Sequence, residues 1–369
     1  MFSVQMLRRA AALGRRALCT ASKPDMERML VVAATRADRL FSNGQHQEGL
    51  ETLTAVVSGL REVHGVRHAD TIGTTAYLAQ KLLHTDAPSS EALAREAHEN
   101  AQLVHGEKHA EARLVAATLG QVLLHRGKHS EAEAILRAIH SVEEKEPGNN
   151  ADHQITSSNL AQVLIAQGRR REAVPFAHQA LRLSSDLLGS HHSVTLDELR
   201  SMGDLLEDLG EVDAAEGMMR TEVSRLRDVN GDAHPDTLTA ISRLARLIAS
   251  HDRSDALRLD EAERLMREDL EASRATLGEA HIDTLAALAA LAQLLCKQCK
   301  YAEAAELARE GVGLSARLLG RAHEHTALMR HLEHHATLEQ SRAETRRREV
   351  SLLLLASWPP PGDAWLQAL

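Results

Sequence analysis

The sequence predicts an all-α fold of about seven helical hairpins stacked one on the next, with a C-terminal capping helix. Three observations predict it. A small residue returns at Ala37, Ala79, Gly120, Ala161, Gly203, Ala245 and Ala292, at intervals of 42, 41, 41, 42, 42 and 47 residues. Each is followed three residues later by an aliphatic: Leu40, Leu82, Leu123, Leu164, Leu206, Ile248 and Leu295. Periodicity on this scale marks a repeat array. Second, another small position lies about twelve residues on, at Gly49, Ser90, Ala132, Ala173, Ala215, Ala262 and Ala304. Small residues on consecutive helices let the backbones approach closely. Third, aromatic residues make up only 2% of the 369 residues, so the core must be aliphatic.

In chain order, residues 1–24 come first. They carry Arg8, Arg9, Arg15, Arg16 and Lys23 with no acid, and form an amphipathic pattern. That is the composition of an organellar transit peptide, with Arg16-Ala17-Leu18 before Cys19 as the processing point. The expected location is the mitochondrion; the alternatives are the cytoplasm, where the segment is a disordered basic start, and the plastid.

Residues 25–320 hold the hairpins. First helices are expected near 26–43, 70–84, 110–126, 153–167, 194–209, 236–251 and 283–298. Their partners follow near 45–63, 88–104, 129–145, 170–187, 211–229, 258–276 and 300–318. Gly65, Gly106, Gly189, Gly231, Gly278 and Gly320 end the second helices, where a left-handed cap wants glycine. His68, His109, His192, His234, His281 and His323 stand three residues later, just before a new helix, and read as joint residues; Asn150 takes that place in the repeat without one. Pro235 suits a first helical turn, and Asp236 and Asp283 meet the positive end of the helix dipole. Pro175 falls near the first turn of its helix or just inside. The sixth repeat is five residues long of normal, and the excess falls in the turn at 251–259.

Residues 321–349 form the capping helix, near 325–348, with Leu328, Leu332 and Leu338 covering the last hairpin while Arg342, Arg346, Arg347 and Arg348 face water. An array of this kind needs such an end. The tail, 350–369, is apolar and proline-interrupted and carries Trp358 and Trp365.

Four stretches carry a family resemblance: Gly-x-x-His-Pro-Asp-Thr-Leu at 231–238, Asn159-Leu160-Ala161, Gln167-Gly168 and Glu131-Ala132-Glu133. The chain resembles tetratricopeptide-repeat proteins over roughly residues 28–340, specifically the 42-residue type of kinesin light chains. The resemblance implies a tetratricopeptide-repeat solenoid whose concave surface is lined by the first helices. In that family an Asn two residues before the small position often grips the backbone of a bound peptide. Here that column reads Thr35, Tyr77, Thr118, Asn159, Ser201, Arg243 and Ala290, so only Asn159 matches. One residue after the small position stand Asp38, Gln80, Gln121, Gln162, Asp204, Arg246 and Gln293. Glutamines bond peptide backbone, and Arg243 with Arg246 suit a carboxylate. The expected binding residues are therefore Tyr77, Gln80, Gln121, Asn159, Gln162, Asp204, Arg243, Arg246 and Gln293.

Composition narrows the partner. The net charge of −9 becomes −14 over residues 25–369 once the five cations of residues 1–24 are set aside, so nucleic acid is not expected. No apolar run reaches the roughly 18 residues of a membrane span. Cys19, Cys296 and Cys299 make no disulfide framework. Cys296 and Cys299 form a lone CxxC, with Cys299 at a turn position filled elsewhere by Gly44, Gly127, Gly168 and Gly210.

The function expected is that of a non-catalytic scaffold or adaptor for a peptide or protein, without cofactor or metal. Two alternatives stand beside it. One is a kinesin light chain-like cargo adaptor, although in light chains a heptad coiled coil precedes the repeats and here Met1–Pro24 stand there. The other is a metal-dependent enzyme or enzyme subunit using His331 and His335, one helical turn apart. The resemblance suggests a further device, since light chains bind peptides with an acid-flanked tryptophan: the segment Asp363-Ala-Trp365-Leu366 is expected to fold back as an intramolecular ligand.

Overall fold

A computed structural model describes residues 23–145, 150–251 and 256–356. These residues form fifteen α-helices. In order they are α1 (Lys23–Ser42), α2 (His46–His64), α3 (Ala69–Leu82), α4 (Ala87–His105), α5 (Ala110–His125), α6 (His129–Glu143), α7 (Asn150–Ala166) and α8 (Arg170–Leu188). Then come α9 (Ser193–Asp208), α10 (Val212–Asn230), α11 (Pro235–His251), α12 (Ala256–Leu277), α13 (Ile282–Lys297), α14 (Tyr301–Leu318) and α15 (Glu324–Ala356). Odd-numbered helices up to α13 are the first members of seven hairpins and even-numbered ones the second.

The chain divides into two compact units, Met1–Glu198 and Leu199–Leu369. In the first, the helices from α1 to α8 pack successively, each of α1 to α7 on the next, and the first helices α3, α5 and α7 also touch in sequence. In the second, α10 to α15 pack successively, and α11, α13 and α15 touch in the same way. Each unit is therefore a row of first helices backed by a row of second helices.

All seven first-position small residues and all seven second-position ones are buried. A Cβ on Gly120 would lie 2.8 Å from Leu136, and Ser90 Oγ reaches across its hairpin to donate to the Ala79 carbonyl at 2.6 Å. Larger side chains at these positions would force the helices apart and open voids beside Leu53, Leu123 and Leu164, which are themselves buried.

The joints between hairpins have a defined chemistry. Gly65, Gly106, Gly189 and Gly231 have φ between 77° and 91° but ψ between 158° and 170°. This is not the left-handed helical cap that the sequence suggested but a more extended, positive-φ conformation that is essentially glycine-only. The following histidine caps the next helix: Nδ1 of His68, His109, His192, His234, His281 and His323 accepts from the backbone N–H two residues on, at 3.2–3.3 Å. In four joints a threonine closes the loop, with Thr195, Thr237, Thr284 and Thr326 Oγ1 donating to the carbonyl of Gly189, Gly231, Gly278 and Gly320 at 2.8–2.9 Å.

The second helices are tied together across repeats. Arg95 pairs with Glu131 at 2.6 Å, Arg137 with Glu172 at 3.7 Å, Arg220 with Glu261 at 2.6 Å and Arg267 with Glu303 at 2.7 Å. A parallel set binds Glu91 to Arg126 and Lys128, Glu133 to Arg169, and Glu263 to Lys300, each linking a second helix to the turn of the next hairpin. Single exposed pairs contribute little, but here Glu91, Glu133, Glu172 and Glu263 each hold more than one partner.

Three expectations need correction. Asn150 is the first residue of α7, not the cap before it. Pro175 takes the second of its two expected places, just inside α8 as its sixth residue. The extra residues of the sixth repeat do not all lie in the turn: Ala256–Leu259 join α12, which runs to 22 residues because Ala-Leu-Arg-Leu is a strong helix-forming run. Finally, α15 continues through Leu352 and Leu353 to Ala356, and its buried stripe is Met329, Leu332 and Ala336, while Leu328 and Leu338 are exposed. Met329 settles that register, since it fills the space a side chain at Gly311 would occupy. Residues 1–22 and 357–369, with the expected transit peptide and tail ligand, lie outside the described residues.

Candidate functional site

The expected binding residues all lie on first helices, but they are not equally available. On α7, Asn159 is buried while Gln162 is exposed. On α3 and α5, Gln80 Nε2 donates to Gln121 Oε1 at 3.3 Å, linking neighbouring repeats. The Tyr77 hydroxyl donates to Asp38 at 2.9 Å; burial first and then Asp38 push its pKa up to about 12. Lys81 Nζ lies about 5 Å above both the Phe41 and Tyr77 rings, closing a small cation–π cluster. In the second unit Gln293 and Arg246 are exposed.

Arg243 is not available for a ligand carboxylate. Its guanidinium donates to Glu222 Oε2 at 2.8 Å and also pairs with Asp204, which occupies that expected residue too. Glu222, with a side chain 1% exposed, takes a second arginine through Arg200 Nε at 2.8 Å. A buried carboxylate demands such compensation. The sequence showed the arginine but not its internal acid, because Glu222 stands seven residues after its small position, in a core-facing column that reads Val56, Ala97, Ile139 and Ala180 in the four repeats before it.

The first unit contains a groove of about 710 Å³ along α1, α3 and α5. Its apolar wall includes Leu30, Val31, Ile72 and Leu114; Val31 and Leu114 remain exposed. Its charged lining consists of Glu27, Asp38, Asp70 and Glu111, with His64 and His105, and no lysine or arginine among the described residues. Asp38 joins this groove to Tyr77. Sequence reasoning missed the groove, although exposed aliphatics on α1 and α5 outside the repeat's buried columns were a usable signal.

The C-terminal histidines do not converge: His331 and His335 are exposed on α15, and His323 is a helix cap. The metal-compatible trio among the described residues is instead His105, His109 and Glu111, with ligand atoms within 4.8 Å of one another. Those groups are already engaged. His109 Nδ1 caps α5, and His105 Nε2 lies 3.1 Å from Glu111. Cys299 occupies the turn position assigned to it, with φ 61°, and Cys296 is partly buried beside the core. No helix among the described residues is long and apolar enough to cross a membrane.

A family model described as tetratricopeptide repeat matches residues 156–193, 258–283 and 284–325. The last match spans α13, α14 and the joint to α15, one full period. A search of curated proteins finds no match. Among solved structures, a signal transduction ATPase with a tetratricopeptide repeat sensor from Pyrococcus horikoshii aligns at TM-score 0.55 and 11% identity, over 87% of this chain and 50% of that one. The apo form of the quorum sensor NprR from B. thuringiensis aligns at TM-score 0.53 and 16% identity, over 84% of each chain. Repeats of a putative kinesin light chain from Podosopora anserina align at TM-score 0.49 and 21% identity, over 57% of this chain and 98% of that one. At such identities the likeness is one of fold. Taken with the hairpins, the capped joints and the period, the family-model match and the alignments with the ATPase and NprR show a tetratricopeptide-repeat solenoid fold.

Proposed function

We propose that the protein is a non-catalytic scaffold that binds a peptide segment of a protein partner on its first-helix face. The observation that carries this reading is the groove along α1, α3 and α5, apolar on its wall and acidic in its charged lining. A preformed surface of this kind gains affinity from side-chain contacts and desolvation with little cost of reshaping. Its charge favours a basic, apolar peptide. A carboxylate-bearing ligand, which Arg243 and Arg246 suggested, loses its best anchor because Arg243 is held by Glu222 and Asp204.

The narrower role of a kinesin light chain-like cargo adaptor rests on the repeat length and on the four resembling stretches of sequence. Residues 1–24 are proposed to direct the protein to mitochondria on their composition, and imaging a fusion of those residues to a fluorescent protein tests that. The scaffold reading is tested by crosslinking capture from native cells with the full chain and with a Val31→Ser, Leu114→Ser variant. Partners lost from the variant support it. An unchanged partner set contradicts binding through this groove.

A further inference from the structure

Two buried acids occupy the same register in successive repeats. Glu222 stands seven residues after the small residue Ala215, and Asp269 seven after Ala262. The first is neutralised by Arg200, three residues before its own small position at Gly203, and by Arg243, two residues before the next at Ala245. The corresponding residues around Asp269 are Ser242 and Ala290. Ser242 Oγ donates to Asp269 Oδ2 at 2.8 Å and Ser273 Oγ lies 3.3 Å from Oδ1, but no cation among the described residues pairs with this carboxylate, although it is 4% exposed.

Space remains there. A cavity of about 180 Å³ lies among α11, α12 and α13, bounded by Ser242, Asp269 and Ser273 inside and by the exposed Thr239, Asp283 and Ala286 towards the first-helix surface. That is several times the roughly 30 Å³ share of a water molecule and suits a planar guanidinium. Burial pushes the Asp269 carboxyl above its ordinary range, against the two hydroxyls that favour its charge, and Asp283 and Glu268 push the same way. An arriving cation therefore meets a carboxylate that has two hydroxyl partners but no counter-charge among the described residues.

We propose that this cavity is a receptor for an arginine side chain of a bound peptide, with Asp269 as the ion-pair partner and the Glu222 site as its internal counterpart. The inference rests on the reading that the first-helix face receives a peptide, but it lies in the second unit and does not depend on the groove of the first.

The test is titration of Nα-acetyl-arginine amide into the full chain, followed by backbone-amide NMR shifts across α11–α13. Saturable binding is expected, weakened at least tenfold by Asp269→Asn and abolished by Ala290→Arg, which restores the internal arginine found at Glu222. Asp269→Asn removes a charge that burial disfavours, so it should fold, and circular dichroism verifies both variants. The Nα-acetyl-glutamine amide control should not bind. Absence of saturable binding to the wild-type chain, or undiminished binding by Asp269→Asn, overturns the proposal, and equal affinity for Nα-acetyl-lysine amide overturns the guanidinium assignment. If the arginine probe fails while a basic peptide still binds the groove variant-sensitively, only this site falls. If the probe binds while peptide capture fails, the scaffold reading falls instead.

Discussion

At Cys299 the chain turns with φ 61°, while the equivalent turns use Gly44, Gly127, Gly168 and Gly210 at φ 72–77°. A side chain in that region stores strain, so Cys299→Gly should raise unfolding stability by about 1 kcal/mol, read as a higher denaturant midpoint. The joint glycines predict the reverse: Gly231→Ala should cost about 2 kcal/mol, because its ψ of 170° leaves no allowed basin for an L side chain. At Glu222 the expected effect is larger. Glu222→Gln removes the buried charge that Arg200 and the largely buried Arg243 share, and should cost about 3 kcal/mol in urea unfolding. Residue roles were legible where the period repeated them. The small positions, the joint histidines and the glycine-like place of Cys299 were all visible by counting. Glu222 and Asp269 were not, since each breaks its column and only the fold shows what lies opposite.

Between elements, stability comes from the close seam of each hairpin and from ion pairs joining second helices. Glu91 is the clearest titrating member. Lys128 above all, with Arg126 and Arg95, holds its carboxylate down to about 2 from an ordinary 4.5, more than burial raises it. Because the folded state holds that proton less tightly than the unfolded chain, the stabilisation is fully present above about pH 4.5 and disappears as pH falls towards 2. Denaturant midpoints measured across that range should therefore fall for the wild-type chain and fall less steeply for Glu91→Gln. Helix positions were readable to within three residues because glycine and histidine punctuate every joint but one. The end of α15 was not, since charge and composition change near Arg346–Arg348 while helix propensity continues through the leucines. The groove was hidden for a different reason: it is made by residues from α1, α3 and α5 together, and no single repeat contains it.

On the scale of the whole molecule, a repeat scaffold acts through the surface its rows of helices present. The central claim is that the first-helix row of the N-terminal unit receives a basic, apolar peptide, and anisotropy titration of the full chain tests it most directly. Two labelled amphipathic peptides of equal length and hydropathy would be compared, one carrying arginines and one carrying glutamates, against wild-type chain and an Asp70→Asn, Glu111→Gln variant. The account predicts that the basic peptide binds at least tenfold more tightly than the acidic one, that this preference collapses in the variant, and that added salt weakens it. Equal binding of both peptides, or a preference for the acidic one that survives the substitutions, would contradict it.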